Sequence, residues 1–235
     1  MIAARRHAWL SLTVLAAALL VPAALDARAV TWRFDRLDQI GGFAPHIEGH
    51  PQIIDTPLGK ATQFNGVDDA LFIDNHPLAG AKTFTFEALF RPDGGAAEQR
   101  WFYLAGAEPA PPAPKPVNPR FTFEIRVVGN AWYLDTFVVG RGYKQTLAFP
   151  EKRYPVGHWY AVAQSYDGHM YRSYVNGVLQ SEAAIAFSPH GPGRASVGTR
   201  INRVNYFKGA IVEARFTARA LRPDQLLRVP IEVAK

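Results

Sequence analysis

Residues 159–179 read WYAVAQSYDGHMYRSYVNGVL, and this stretch sets the fold class. An apolar run from His158 to Tyr166 is followed by Asp167-Gly168, and a second run from Tyr171 to Val175 is followed by Asn176-Gly177. Asparagine then glycine between two such runs is typical of a type I′ hairpin, in which both central residues have positive φ. Asp167-Gly168 is interpreted in the same way. The stretch therefore predicts consecutive antiparallel strands joined by tight turns.

The same pattern continues along the chain from Val30. Apolar runs, many with period two, are interrupted by Gly, Pro, Asn or Asp at intervals of roughly 8 to 12 residues, as in all-β domains. A short helical tail is expected near Pro223, because proline is favoured in a first turn and Leu226 and Leu227 follow it. The further strand candidates are Thr31–Phe34, Ala70–Ile73, Phe84–Phe90, Phe121–Val128, Ala131–Val139, Val178–Ile185, Ser196–Thr199 and Ala210–Phe216.

Four segments resemble motifs of bacterial laminin-G-like domains of the concanavalin A-like lectin/glucanase kind. Trp159–Gly168 is similar to their W-x-x-V-A-x-T-Y-D-G strand, and Ser173–Leu179 is similar to their L-Y-V-N-G-x-L hairpin. Phe64–Asp69 resembles an early F-D-G-V-D-D turn, and Phe207–Arg215 resembles the closing F-x-G-x-I-D-E-V-R strand. The resemblance implies a jelly-roll sandwich of two antiparallel sheets. Such folds host lectins, adhesion modules, lyases and glucanases, so the fold does not choose the function.

Three positions depart from those motifs. Asn65 and Val212 stand where the pattern has aspartate, and Ala161 stands where many members have histidine. Valine and alanine can neither ligate a metal nor titrate. A ligand role that the family gives to positions 161 and 212 therefore does not carry over.

The first 29 residues have the composition of a cleavable secretory signal. Arg5 and Arg6 precede an apolar run from Trp9 to Leu25, and Ala27-Arg28-Ala29 supplies a small-residue cleavage site. A membrane anchor is the alternative, but the run is short and interrupted by a proline. We expect cleavage after residue 29, one β-sandwich domain over residues 30–235 without a transmembrane segment, and a periplasmic or extracellular location.

Charge and cysteine content narrow the classes of partner. The formal net charge of +6 becomes +4 without residues 1–29, which contain three Arg and one Asp. The positive residues are scattered singly rather than in the dense blocks that neutralise many phosphates, which argues against nucleic-acid binding. Attraction to acidic polysaccharides stays open. Cysteine is absent, so neither disulfides nor thiolate metal sites are expected.

A second hairpin fixes a polar face. Gly129-Asn130 puts glycine first, as a type II′ turn prefers, and pairs the strand ending at Val128 with the strand beginning at Ala131. A two-residue loop fixes the register of every cross-strand pair. One face then carries apolar side chains, and the opposite face carries the ligand-binding candidates Glu124, Arg126, Tyr133 and Asp135.

On that face Glu124 is expected directly opposite Asp135, and like charges in this position destabilise a sheet unless something neutralises them. Arg126 is one candidate, on a solvated face with ordinary ion pairs. A calcium ion, an array of sugar hydroxyls or a shared proton are the functional alternatives.

Glu87 is a further binding candidate, because alternation along Phe84–Phe90 turns it outward from the core. If Glu87 lies beside Glu124, the carboxylates and Tyr133 form a groove that suits a saccharide. The stretch from Pro109 to Pro119 contains six prolines and is expected to be an extended surface loop, which closes one side of the binding face.

Metal and cofactor signals are weak. Asp68 and Asp69 are candidates for calcium at the sandwich edge, although aspartates in a Gly-Val-Asp-Asp turn usually serve the turn itself. His46 and His50 lie four residues apart without a third ligand in sight, so zinc is not expected. No standard cofactor motif is present.

The sequence favours a binding module over an enzyme. The E-x-D-x-x-E strand with which glucanases of this superfamily place two acids on one face is absent. Tyr206–Ala210 resembles the beginning of an alginate-lyase strand, but the companion motifs of those lyases are missing. We expect an exported, non-catalytic module that binds carbohydrate or a cell-envelope component. A polysaccharide-cleaving lyase or glycoside hydrolase, and an envelope structural or adhesion protein, are the alternatives.

Overall fold

The computed structural model describes residues 29–108 and 116–233. The predicted signal peptide, except its last residue, and residues 109–115 of the proline-rich loop lie outside the described residues. The strands of the described part are β1 Val30–Arg33, β2 His46–Glu48, β3 Gln52–Thr56, β4 Gly59–Asn65, β5 Ala70–Ile73, β6 Phe84–Pro92, β7 Glu98–Gly106, β8 Arg120–Val128, β9 Ala131–Gly140, β10 Tyr143–Ala148, β11 Tyr154–Pro155, β12 Tyr160–Tyr166, β13 Met170–Val175, β14 Val178–Ala184, β15 Gly193–Val197 and β16 Lys208–Thr217.

The strands form two antiparallel sheets. Sheet I has the order β14-β13-β12-β6-β16-β4-β3, with β1 paired to β16. Sheet II has the order β10-β9-β8-β7-β15-β5-β2, with β11 paired to β9. The expected all-β sandwich of jelly-roll type is therefore confirmed.

Aromatic side chains from both sheets meet in the core between them. Phe86 of sheet I stacks on Phe123 of sheet II with ring centroids 4.0 Å apart, and Phe90 stacks on Trp101 at 4.8 Å. All four side chains are fully buried. Such rings combine a large apolar area with favourable pair geometry, so these contacts hold the two sheets together without disulfides.

The predicted hairpin geometry is confirmed at two turns. Asn176 and Gly177 have φ values of 49° and 72°, as a type I′ turn requires. Gly129 has φ 61°, and β8 pairs with β9 in the expected register, from Val128 opposite Ala131 to Glu124 opposite Asp135.

The type I′ prediction for Asp167-Gly168 is wrong. Only Gly168 of the pair has a positive φ, because the Asp167 carboxylate organises a longer turn by accepting hydrogen bonds from the backbone N–H groups of His169 and Met170. These side-chain hydrogen bonds stabilise the turn without a positive φ at Asp167, as aspartate commonly does in turns.

Six strands lie outside the predicted segments, and one of them, β7, pairs directly with β8. Its pairing with β8 shifts between Arg100 and Phe102, so Trp101 is an extra residue in the ladder and both Trp101 and Phe102 are buried in the core. A bulge of this kind breaks the alternation by which a strand is recognised in a sequence.

A C-terminal strap, residues 221–233, crosses the outer face of sheet I. It begins with the one-turn 3-10 helix Pro223–Gln225, which confirms the short helical tail. Leu221 and Leu226 pack with Ala163 and Tyr174, while Leu227 packs against a second cluster that includes Trp159 and Val212. The strap gives sheet I an apolar outer layer. Among the described residues, no helix is long and apolar enough to cross a membrane.

Candidate functional site

The outer face of sheet II carries a network of ion pairs centred on β8. Arg126 donates from Nε to Asp135 Oδ2 at 2.6 Å, and its Nη1 lies 3.0 Å from Glu98 Oε1. Its Nη2 lies 3.5 Å from Glu124 Oε2. Arg126 therefore neutralises the two carboxylates that the hairpin places opposite each other, as the sequence suggested.

A second arginine shares this task. Arg100 on β7 stands opposite Glu124, with Nη2 3.3 Å from Glu124 Oε2, and it also donates to Glu98. Sequence reasoning missed Arg100 and Glu98, because β7 was not recognised as a strand.

Glu124 has an unusual protonation equilibrium. Burial raises the pKa of its carboxyl to about 7, the charge of Arg100 opposes the rise, and the negative charge of Asp135 adds to it. A carboxyl with this pKa exchanges its proton near neutral pH. It can accept a hydrogen bond when ionised and donate one when protonated.

Beside Glu124 the face sinks into a depression of about 180 Å³. The guanidinium of Arg120 lies over the ring of Phe137 at 5.1 Å, and that of Arg200 lies over the ring of Tyr103 at 5.9 Å. Planar cations stacked on rings in this way retain N–H donors at their edges. The lining residues are Arg100, Arg120, Thr122, Glu124, Phe137 and Arg200.

Some of these lining residues were within reach of sequence reasoning. Arg120 and Thr122 have the same parity as Glu124 on β8, and Phe137 has the same parity as Asp135 on β9. The hairpin register therefore assigns them to the polar face. Arg200 follows β15 in a loop, and no sequence signal points to it.

The structure does not bring all the predicted site residues together. Tyr133 is half-buried opposite Arg126 on the same face as Glu124 and Asp135. Glu87 lies on β6 of sheet I, so the expected neighbourhood with Glu124 is not found. It points away from the core, as predicted, but the strap covers it.

The Glu87 carboxylate is fully buried and fully occupied. It accepts hydrogen bonds from Arg215 Nε and Nη2 at 2.6 and 2.8 Å and from the backbone N–H of Leu227 at 2.7 Å. This bidentate pair fastens the strap to sheet I, and the carboxylate has no free edge for a ligand.

The two calcium candidates serve their own turn. The buried carboxylate of Asp69 accepts hydrogen bonds from the backbone N–H groups of His50 and Asn65, at 2.7 and 2.9 Å. Asp68 accepts one from the Asn65 side chain at 2.7 Å. Within the described ranges, no three His, Cys, Asp or Glu side chains are arranged to hold a metal ion.

Comparison with known proteins identifies the family to which the chain belongs. The family model described as "Concanavalin A-like lectin/glucanases superfamily" (Laminin_G_3) matches residues 65–227, more than half of the chain. A search of curated proteins finds no match.

Solved structures share the fold at low sequence identity. Domain 4 of AbnA, an extracellular arabinanase from Geobacillus stearothermophilus solved in complex with arabinotriose, has a TM-score of 0.57 at 19% identity, over 89% of this chain and 100% of that domain. The NanB sialidase from Streptococcus pneumoniae has a TM-score of 0.53 at 18% identity, over 67% of this chain and 25% of the sialidase. The binding domain of botulinum neurotoxin serotype C1 has a TM-score of 0.54 at 9% identity, over 83% of this chain and 50% of that one.

Proposed function

The chain belongs to the concanavalin A-like lectin/glucanases superfamily, and from that premise we propose that it is an exported, non-catalytic module that binds carbohydrate on the outer face of sheet II. Export follows from reading residues 1–29 as a signal peptide that leaves residues 30–235 as the mature domain. The proposed location is periplasmic or extracellular. The partner is a polysaccharide, a glycan or another glycosylated component of the cell envelope.

One observation carries this proposal. The outer face of sheet II combines ion-paired carboxylates with arginines and aromatic rings around a depression, whereas sheet I is covered by its strap. Sugars present hydroxyls that pair with such charged groups and C–H faces that pack on rings. Glu124, Arg126, Tyr133 and Asp135 make the polar contacts in this proposal.

The solved relatives support this choice of ligand class. Domain 4 of the arabinanase was solved in complex with arabinotriose, and cell entry of botulinum neurotoxin type C, which shares the fold, depends on interaction with two ganglioside molecules. Both ligands contain carbohydrate, and both proteins share the sandwich. Their sites are not carried over to this chain, because its own face supplies the proposed contacts.

A glycan-array screen of the purified protein tests the proposal. We expect selective binding to a subset of saccharides, in a calcium arm and in a chelator arm. Loss of binding in chelator would show that binding requires calcium, and the carboxylates, including Asp68 and Asp69, would again be the candidate calcium ligands. Failure to bind any glycan would refute carbohydrate binding and favour a structural or adhesion role in the envelope.

A polysaccharide-cleaving enzyme is the second candidate, and one observation favours it. Glu124, with a pKa of about 7, stands opposite the ion-paired Asp135, and a proton donor beside a carboxylate is the arrangement of general acid–base catalysis. Time-dependent release of reducing or unsaturated ends from a bound polysaccharide would establish cleavage. Stable complexes without such release would refute cleavage and favour the non-catalytic binding module.

A further inference from the structure

The depression beside Glu124 holds more positive than negative charge. Arg100, Arg120 and Arg200 line it, and Glu124 is the single carboxylate among its lining residues. The other two acids of this face pair with Arg126, which lies outside the lining, although Glu98 also pairs with Arg100. With its pKa of about 7, Glu124 is itself partly neutral at physiological pH, which increases the surplus.

The arginines of the depression are incompletely paired. Among the described residues, Arg100 Nε and Nη1 and Arg200 Nε are buried without a hydrogen-bond partner. Arg120 donates from Nη1 to the backbone carbonyl of Asn118 at 3.0 Å. Buried donors without partners lower stability, so a charged acceptor that enters the depression would supply what the fold lacks.

The lining offers a ring surface and a hydroxyl in addition to the arginines. Phe137 and Tyr103 lie under the guanidinium groups of Arg120 and Arg200, and Lys144 Nζ lies 5.8 Å from the Phe137 ring centroid. Thr122 adds a hydroxyl between β7 and β9. A ligand that carries both an anionic group and a pyranose or furanose ring matches the arginine edges together with the exposed part of the Phe137 ring, the one aromatic side chain among the lining residues.

We propose that this depression binds the anionic substituent of an acidic saccharide, a carboxylate or a sulfate, through Arg100, Arg120 and Arg200. The inference rests on the proposed carbohydrate binding and names its ligand class. Carboxylate and sulfate share the chemistry that the arginines recognise, because each offers a pair of oxygens to a guanidinium edge.

Calorimetric titration with matched ligands tests the inference. The probes are tetragalacturonate, its methyl ester, and a sulfated tetrasaccharide derived from heparin. The free acid and the ester share the same sugar rings and differ in the charge and the methyl group of each carboxyl, and we expect the acid to bind about tenfold more tightly or better. Tight binding of the sulfated probe instead would assign the same depression to sulfate.

The variants Arg120→Gln and Arg200→Gln should each lower the affinity for the acidic ligand about tenfold and leave that for the ester nearly unchanged. Arg222→Gln is the control, since it removes one exposed positive charge from the strap on the opposite face. Its affinity for the acidic ligand should equal that of the parent protein. Thermal unfolding of each variant verifies that it is folded.

Two results would overturn the inference in different ways. Equal binding of acid and ester, unaffected by the two arginine variants, would refute the acidic ligand and leave carbohydrate binding intact. Absence of binding to all three probes and to every glycan of the array would refute the proposed function itself.

Discussion

The outer faces of the two sheets each carry a glutamate, which is covered and fully hydrogen-bonded on sheet I but incompletely hydrogen-bonded on sheet II. Each has an outward glutamate on a central strand, Glu87 on sheet I and Glu124 on sheet II. Glu87 accepts three hydrogen bonds from Arg215 and Leu227 beneath an apolar strap. Glu124 has only longer contacts, at 3.3 and 3.5 Å, to arginines that it shares with other acids. A fully satisfied, covered carboxylate holds a fold together, whereas an incompletely satisfied one keeps capacity for a ligand.

The largest expected difference between the faces is in stability. Arg215→Ala leaves the Glu87 charge buried without its partner, and we expect the free energy of unfolding to fall by about 3–5 kcal/mol. Arg126→Ala removes a side chain that is 30% exposed and leaves Arg100 beside Glu124, and we expect a smaller loss of about 1–2 kcal/mol, mainly from the unpaired Asp135. Urea unfolding followed by tryptophan fluorescence measures both. Equal losses would remove the distinction between the faces.

The same pair of variants separates stability from binding. Arg126→Ala should weaken saccharide binding although the protein stays folded, because Arg126 belongs to the proposed site. Retained affinity in this variant would remove the Glu124–Asp135 region from the binding surface.

A smaller effect concerns the apolar layer over sheet I. Leu226→Ala should lower the free energy of unfolding by about 2–3 kcal/mol, because a buried side chain of the strap is lost. Its affinity for saccharide should not change. Val128→Ala at the exposed end of β8 is the control, with an expected change within about 0.5 kcal/mol. Reduced affinity in Leu226→Ala would link the strap to the binding face.

The smallest effect is a pH dependence on sheet II. The pKa of Glu124 is raised to about 7 in the folded protein, above the ordinary value of 4.5. The folded state therefore binds this proton more tightly, and the resulting stabilisation is present below pH 4.5 and lost as the pH rises through 7. Relative to the parent protein, Glu124→Gln should become more stable by about 1–2 kcal/mol between pH 4.5 and pH 8. Parallel curves of stability against pH for the two proteins would contradict the shifted pKa.

The sequence predicted the polar face because a two-residue turn fixes the register of the two strands that it joins. Gly129-Asn130 alone places Glu124 opposite Asp135 and Arg126 opposite Tyr133. Alternation along Phe84–Phe90 turns Glu87 outward, and that direction is correct. Its cover could not be predicted, since the strap that contributes Leu227 lies 140 residues away in the chain.

The contribution of β7 to the ion-pair network could not be predicted from the sequence, for a different physical reason. The extra residue at Trp101 puts two consecutive aromatic rings into the core, so the alternation that would place Arg100 outward is broken. Glu98 and Arg100, which complete the ion-pair network of Glu124, depend on that bulge. Arg200 depends on a loop after β15, whose position follows from tertiary packing rather than from periodicity.

Chemical-shift mapping of the saccharide-bound protein tests the central claim most directly, namely that sheet II is the binding face and sheet I the structural one. Titration of the isotope-labelled protein with tetragalacturonate should shift the backbone amide resonances of β7, β8 and β9, including Arg100, Thr122 and Phe137. Those of the strap around Leu226 should stay in place. Shifts confined to the strap and sheet I would contradict the account.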